Sequence, residues 1–318
     1  FIIQIKFNKI DILKIQLKMI YKKQYIDICS KNREIKLFNT PSWLDIVTNG
    51  NWNVIPIKVN NKTLGLLPYI KKGFLLNFSV LPKITQHLSP IVLDNNFFQS
   101  NEREFYYDLS KQLNKFIFFR SSWLNSNIYN IETLKKFFSV SLSKSYLVTK
   151  SKKKYSKNAL RWLKKSKENN LVIKEEFDHE KFYLNYCNNL KDRGLKNYHN
   201  KVFFLNLLNS IEKKKIGKLF VVENKNKEFQ SGAMIVWDNL KVYMIILTTN
   251  HKFKNIGGSY LLIDFLIDYS FKNNKSFDFE GGNIKSIGKF YSNFTKEKEE
   301  IIEISKGSNF FNFFSRDI

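Results

Sequence analysis

From residue 240 to residue 294 the apolar and polar positions mark out a run of elements. Residues 240–247, Leu-Lys-Val-Tyr-Met-Ile-Ile-Leu, are rich in apolar and β-branched side chains, as a buried strand should be. A polar turn over 249–258 follows and ends in Gly257-Gly258. Leu262, Phe265, Leu266 and Tyr269 then fall at i, i+3, i+4 and i+7, one face of a helix. Asn273-Asn274-Lys275 ends that helix, 276–280 alternates as a short strand, and Gly281-Gly282-Asn283 turns it. Ile284, Ile287, Phe290, Tyr291 and Phe294 predict a second helix.

The first half shows the same kinds of element. A short helix is predicted over 25–32. Thr40 caps another, with Pro41 in the first turn, where its missing N–H costs nothing. Strands at 53–59 and 64–70 make a hairpin around Asn60-Asn61-Lys62-Thr63, and 74–81 reads as a third strand. After the polar turn Gln86-His87-Leu88-Ser89-Pro90 comes a helix over 99–115, then a strand over 116–120. The second half has helices over 182–191 and 201–212 and a hairpin of 218–223 with 229–237, so the element order repeats. The expected organisation is an α/β (α+β) chain of two tandem domains, 19–145 and 146–305. Residues 1–18 read as an extension foreign to the fold, and 306–318 as a tail.

Composition narrows the class. With 318 residues and 43% hydrophobic content the chain can bury a large core. The formal charge of +25 suits nucleic acid, anionic lipid or a phosphorylated substrate, although the Lys-, Asn- and Ile-rich composition that AT-rich codons favour accounts for part of it. Cys29 and Cys187 have no metal spacing, so neither a disulfide framework nor a metal is expected, and a reducing cytoplasm fits. No apolar run reaches the roughly 20 residues of a transmembrane helix. The tail Phe310-Phe311-Asn312-Phe313-Phe314 would pack on the body or touch a bilayer surface. His179, His199 and His251 read as surface residues, and no Ser-His-Asp or Cys-His arrangement stands out.

A glycine turn opening a helix admits two readings. It is a plain bend, or a phosphate site, because first-turn amides lack internal partners and glycines let an anion approach. Lys252 and Lys254 add charge there. The element order resembles the GNAT acetyltransferase superfamily, whose Gln/Arg-x-x-Gly-x-Gly/Ala turn cradles the acyl-CoA pyrophosphate. Here the frame is Lys252-Phe253-Lys254-Asn255-Ile256-Gly257, followed by Gly258, with Lys252 for Gln/Arg and Asn255 for the first Gly. Asn tolerates left-handed backbone, so the turn survives the exchange.

Phe277-Asp278-Phe279-Glu280-Gly281-Gly282, then Ile287-Gly288-Lys289-Phe290-Tyr291-Ser292-Asn293-Phe294, is similar to the C-terminal signature of the FemAB-like (BioF2-like) branch of that superfamily. Ser42-Trp43-Leu44-Asp45 and the basic stretch 150–166 match further family segments, so the resemblance covers about 19–305. It implies two GNAT-like domains, each with a mixed, mostly antiparallel sheet flanked by helices. It also implies an N-acyltransferase that uses acyl-CoA (acetyl-CoA) and an amine on a cell-envelope or polysaccharide precursor, small, nucleotide-linked or lipid-linked. That enzyme would be cytoplasmic or peripheral to the inner membrane. The second reading is Fem-type aminoacyl transfer from tRNA to a peptidoglycan precursor, and the third a non-catalytic, precursor-binding relative. Glu280 is the expected base or amine-orienting group, against a helix-capping role, and Tyr291 the expected acid, against plain core packing. Arg161 and Lys164 would meet the acceptor's phosphate, against a solvated helix face. Gln86, Asn283 and Lys289 complete the expected substrate contacts, with His87, which reads equally as a polar structural residue.

Overall fold

The computed structural model describes residues 9–73, 77–125, 128–152 and 154–307. Start of the expected third strand (74–76) and the apolar tail lie outside these residues. The described chain forms two compact units: one holds the residues up to Leu142 and those from Ile301 on, the other Ser143–Glu300.

The first unit opens with α1 (Lys9–Lys31), one helix of 23 residues where the sequence predicts a short one, and it runs through Met19 without a break. α2 (Pro41–Thr48) starts as expected: the Thr40 hydroxyl accepts from the Trp43 amide at 3.2 Å, with Pro41 in the first turn. β1 (Asn53–Val59) and β2 (Lys62–Tyr69) pair as a hairpin. Asn60 and Asn61 hold φ 49° and 63°, the left-handed pair a two-residue turn requires, so β2 begins two residues before its predicted start. β3 (Phe78–Ser79) and β4 (Ile91–Val92) are brief. The helix predicted over 99–115 is two helices, α3 (Asn95–Ser100) and α4 (Glu102–Leu113). Asp94 caps the first by accepting from the Phe97 amide, and Asn101, at φ −132°, breaks the spiral. β5 (Phe118–Leu124) and α5 (Ile131–Lys135) follow. Phe105, Tyr106, Leu109, Trp123, Ile302 and Ile304 fill this unit's core.

β6 (Ser139–Val148) leads into the second unit. There α6 (Lys157–Glu168), β7 (Val172–Glu175), α7 (His179–Asp192) and α8 (Lys201–Lys214) precede β8 (Gly217–Glu223), β9 (Phe229–Trp237) and β10 (Lys241–Thr249). α9 (Gly258–Lys272), β11 (Ser276–Asp278) and α10 (Lys285–Tyr291) complete it. The strand order is β6-β11-β10-β9-β8-β7, antiparallel except for the parallel pair β10/β11 that α9 connects. This agrees with the mixed, mostly antiparallel sheet expected. Val242, Met244, Leu262, Leu266, Phe277 and Phe279 form the core between sheet and helix.

The chain returns to the first unit in β12 (Lys298–Gly307), whose residues from Ile301 pair with β5. The sequence reading keeps 301–305 in the second domain. Ile302 and Ile304 point to one side of the strand and are buried with Trp123, which places them with the first core. Among the described residues no helix is long and apolar enough to cross a membrane.

Candidate functional site

The site is built on the one parallel strand pair of the second unit. β11 pairs with β10 at Lys241, Val242 and Tyr243 alone, while β10 continues to Thr249. β11 ends at Asp278, opposite Tyr243, and the β9/β10 register slips between Met244 and Ile246. Alongside the continuation of β10 lies a cleft of about 520 Å³. Leu247 and Thr249 of β10 line it, with His251, Lys254, Asn255, Gly257, Ser259 and Tyr260 from the turn and α9. Ser286, Ile287, Phe290 and Tyr291 face it from α10, Trp162 from α6, and Asn189 and Arg193 from the end of α7.

The turn is held from both sides. The Asn250 amide donates to the Gln230 carbonyl at 3.0 Å, and the Asn250 side chain accepts from the Lys252 amide at 3.1 Å. The Lys254 ammonium lies 3.2 Å from His251 Nε2. The left-handed residue is Gly257, at φ +91°, and not Asn255, whose φ is negative. The exchange of Gly for Asn at 255 therefore needs no left-handed tolerance, which corrects the reason given from sequence. No side chain caps α9, so its first amides are left to water or a ligand. Lys252 and Ile256, also expected at the turn, are not among the lining residues, and Lys252 is exposed.

Tyr291 lines the cleft with its ring packed on Phe279, centroids 4.4 Å apart, and edge-on to Tyr146 at 6.1 Å. Packing and a cleft-facing role thus coincide in one side chain. Burial, reinforced by the nearby Glu280 carboxylate, pushes its hydroxyl up to about 12. Glu280 sits at φ +54°, followed by Gly281 and Gly282, also at positive φ. It is half-buried, and burial followed by the charge of Asp278 holds its carboxyl well above the usual range. It is not one of the lining residues; it stands close enough to Tyr291 to act on it electrostatically.

Beneath Glu280 is a network that sequence reasoning missed. Asp278 accepts from the Glu280 amide at 3.0 Å, from the Ser145 hydroxyl, and from the buried Lys241 ammonium at 3.3 Å. Lys241 also pairs with Glu299. Asp278 stands two residues before Glu280 in the alternating strand, a signal that was available, but its partners lie far away in the chain.

The remaining candidates fall elsewhere. Arg161 and Lys164 are exposed on α6; Arg161 donates to Asn158 Oδ1 at 3.0 Å and neighbours Trp162 without lining the cleft. Asn283 accepts from the Lys144 amide at 2.9 Å, a turn contact, and Lys289 is exposed off the lining face of α10. Gln86 and His87 belong to the first unit, which contributes no lining residue. His87 is buried edge-on to Phe38, ring centroids 5.0 Å apart.

Conversely, Trp162, Asn189, Arg193, Ser259 and Tyr260 reach the cleft and were not singled out from sequence, and His251, read there as a surface residue, is exposed and also lines the cleft. The buried Asn189 donates to the Thr249 carbonyl and so ties α7 to the end of β10, which brings Arg193 to the cleft. A buried Asn amid the helix pattern was the one hint of this.

No family model matches the sequence, and no curated protein matches it either. Solved structures do. FemX is similar at 9% identity over 92% of this chain and 98% of its own, with a TM-score of 0.63. L-PGS from Bacillus licheniformis is similar at 11% identity, over 92% of this chain and 96% of its own, with a TM-score of 0.57. The C-terminal domain of a putative lysylphosphatidylglycerol synthetase from Agrobacterium fabrum has a TM-score of 0.57 at 9% identity, covering 94% of this chain and 96% of its own. At such identities the likeness is one of fold. The chain shares the fold of FemX, with the mixed, mostly antiparallel sheet flanked by helices expected from the sequence.

Proposed function

We propose that this chain is a transferase that moves an acyl group from acyl-CoA to an amine on a cell-envelope precursor. The observation that carries the reading is the end of β11 at Asp278 while β10 runs on to Thr249, beside a cleft that reaches the uncapped start of α9. The cleft's lining includes Lys254, Arg193 and His251 and no Asp or Glu, so it suits a polyanionic donor. The free edge of β10 offers backbone donors to the thioester oxygen as negative charge develops there. Glu280, its carboxyl held well above the usual range by burial and the Asp278 charge, takes the proton of the attacking amine. Tyr291, protonated at any working pH, gives one to the leaving thiolate. The enzyme would act in the cytoplasm, at the inner membrane surface when the precursor is lipid-linked.

A second reading is aminoacyl transfer from charged tRNA. The fold likeness to FemX and to a putative lysylphosphatidylglycerol synthetase domain favours it, as does the basic run Lys164-Lys165 on α6.

Calorimetric titration with acetyl-CoA and, separately, with bulk uncharged tRNA, at two salt concentrations, tests both. Micromolar acetyl-CoA binding that weakens in Lys254→Gln and Arg193→Gln supports the first reading. Tight, salt-dependent tRNA binding without acetyl-CoA binding supports the second. Binding of neither ligand overturns both and leaves a non-catalytic protein of the same fold.

A further inference from the structure

Trp162 contributes its indole to the cleft wall and is held in place from three directions. Its ring stacks on Tyr260, with centroids 5.8 Å apart and planes within 17°. Tyr260 is fixed in turn: its hydroxyl accepts from Asn158 at 3.1 Å, and its ring meets Phe290 at 5.1 Å and Phe294 at 5.5 Å. The backbone is pinned as well, since the Trp162 carbonyl oxygen fills the space that a Cβ on Gly257 would need. Two exposed cations reach over the indole, the Arg161 guanidinium at 5.5 Å and the Lys165 ammonium at 5.1 Å.

A supported aromatic plane with two exposed cations over it, locked against the turn that carries Lys254, matches one kind of ligand: a flat base joined to phosphate. We propose that Trp162, backed by Tyr260, is the stacking platform for an adenosine phosphate carried by the donor, with Arg161 and Lys165 taking the phosphate. The proposal rests on reading the cleft as the donor site and deepens it. A stacked base is worth more than an exposed cation–π contact, so the two cations move from the indole to the phosphate when the base arrives. It gives Arg161 a donor role in place of the acceptor role expected from sequence. Coenzyme A and the 3′ end of tRNA both carry this chemistry.

The test is calorimetric titration of the full chain with adenosine 3′,5′-bisphosphate and with inorganic pyrophosphate. The wild type should bind the nucleotide more tightly than pyrophosphate. Trp162→Leu should weaken the nucleotide on the order of tenfold and leave pyrophosphate unchanged, and Trp162→Phe should retain most of the affinity. The double variant Arg161→Gln/Lys165→Gln changes exposed side chains, so it keeps the fold; it should weaken the nucleotide and reduce the salt dependence. Nucleotide binding no tighter than pyrophosphate binding, or unchanged in Trp162→Leu and in the double variant, overturns the proposal.

Acetyl-CoA and tRNA with and without its terminal adenosine then separate the two sources. Sensitivity of either ligand to Trp162→Leu supports the platform and names the source; insensitivity of both overturns it. Acetyl-CoA or tRNA binding at the cleft, with neither ligand sensitive to Trp162→Leu, would sink the platform and leave the donor cleft standing. Trp162-dependent nucleotide binding without transfer would do the reverse.

Discussion

A Cβ on Gly257 would stand 2.5 Å from the carbonyl oxygen of Trp162. Gly257 also holds φ +91°, a region L side chains rarely adopt. Ser166 is the next neighbour, 3.1 Å away, so α6 seats against the start of α9 because residue 257 has no side chain. The glycine is a packing requirement before it is a ligand contact. Gly257→Ala is therefore expected to cost about 2–4 kcal/mol, the left-handed strain plus the displacement of backbone. Gly50→Ala, at φ +75° with open space around it, should cost only the strain, about 1–2 kcal/mol. Urea unfolding followed by circular dichroism compares them, and equal costs would refute the packing account. Loss of ligand binding in a Gly257 variant would accordingly say little about direct contact.

Tyr291→Phe separates packing from chemistry at one position. The ring contacts with Phe279 and Tyr146 survive the change, and the hydroxyl makes no hydrogen bond to a described residue. Stability should move by less than about 0.5 kcal/mol. If Tyr291 is the acid, kcat should fall on the order of 100-fold with donor affinity retained. A variant with wild-type kcat would assign Tyr291 to packing alone.

What could be read from the chain without coordinates follows the range of the interactions. The α2 start was legible because Thr40 and Pro41 act within one turn. β10 and α9 were legible because their apolar positions serve one core. The break at Asn101 and the two-residue turn at Asn60-Asn61 depend on backbone angles that several residue types allow, so their boundaries slipped. The destination of β12 was not legible: whether Ile302 belongs to one core or the other is decided by β5, far away in the chain. Tyr291, singled out from the signature, lines the cleft and Glu280 stands near it, but Arg193 and Trp162 were not singled out. Their place at the cleft depends on Asn189 reaching Thr249 at the end of β10 and on Trp162 lying over Tyr260, contacts between distant elements that no local pattern announces.

Lys241 gives a stability prediction of its own. Its ammonium is buried between Asp278 and Glu299; burial lowers its pKa, the two carboxylates outweigh that, and the net shift is upward. Lys241→Met strands the Asp278 charge, which is 3% exposed, and should cost about 3–5 kcal/mol. Adding Asp278→Asn removes the stranded charge, so the double variant should be less destabilised than the sum of its parts, by about 1–3 kcal/mol. Denaturant titration of the four proteins completes the cycle, and strict additivity would show that the pair is not coupled.

Glu280 should make itself visible through pH. Burial and the Asp278 charge raise its folded pKa well above the ordinary glutamate value, so between the two values the folded chain holds a proton that the unfolded chain has released. Stability is then greatest below the ordinary value of about 4.3 and falls as pH climbs toward the folded pKa. Glu280→Gln has no such proton to lose. It keeps a similar shape and the same left-handed backbone at φ +54°, so comparing the two isolates the charge. The variant should gain stability relative to wild type on going from pH 4 to pH 8, read from paired urea midpoints. A base role makes a second demand on the same titration: wild-type kcat should rise with pH through that raised pKa, and the variant's profile should lose this acid limb. A stability difference that grows with pH while the acid limb stays intact would leave Glu280 as a strained structural carboxylate and assign the base to a group that lines the cleft.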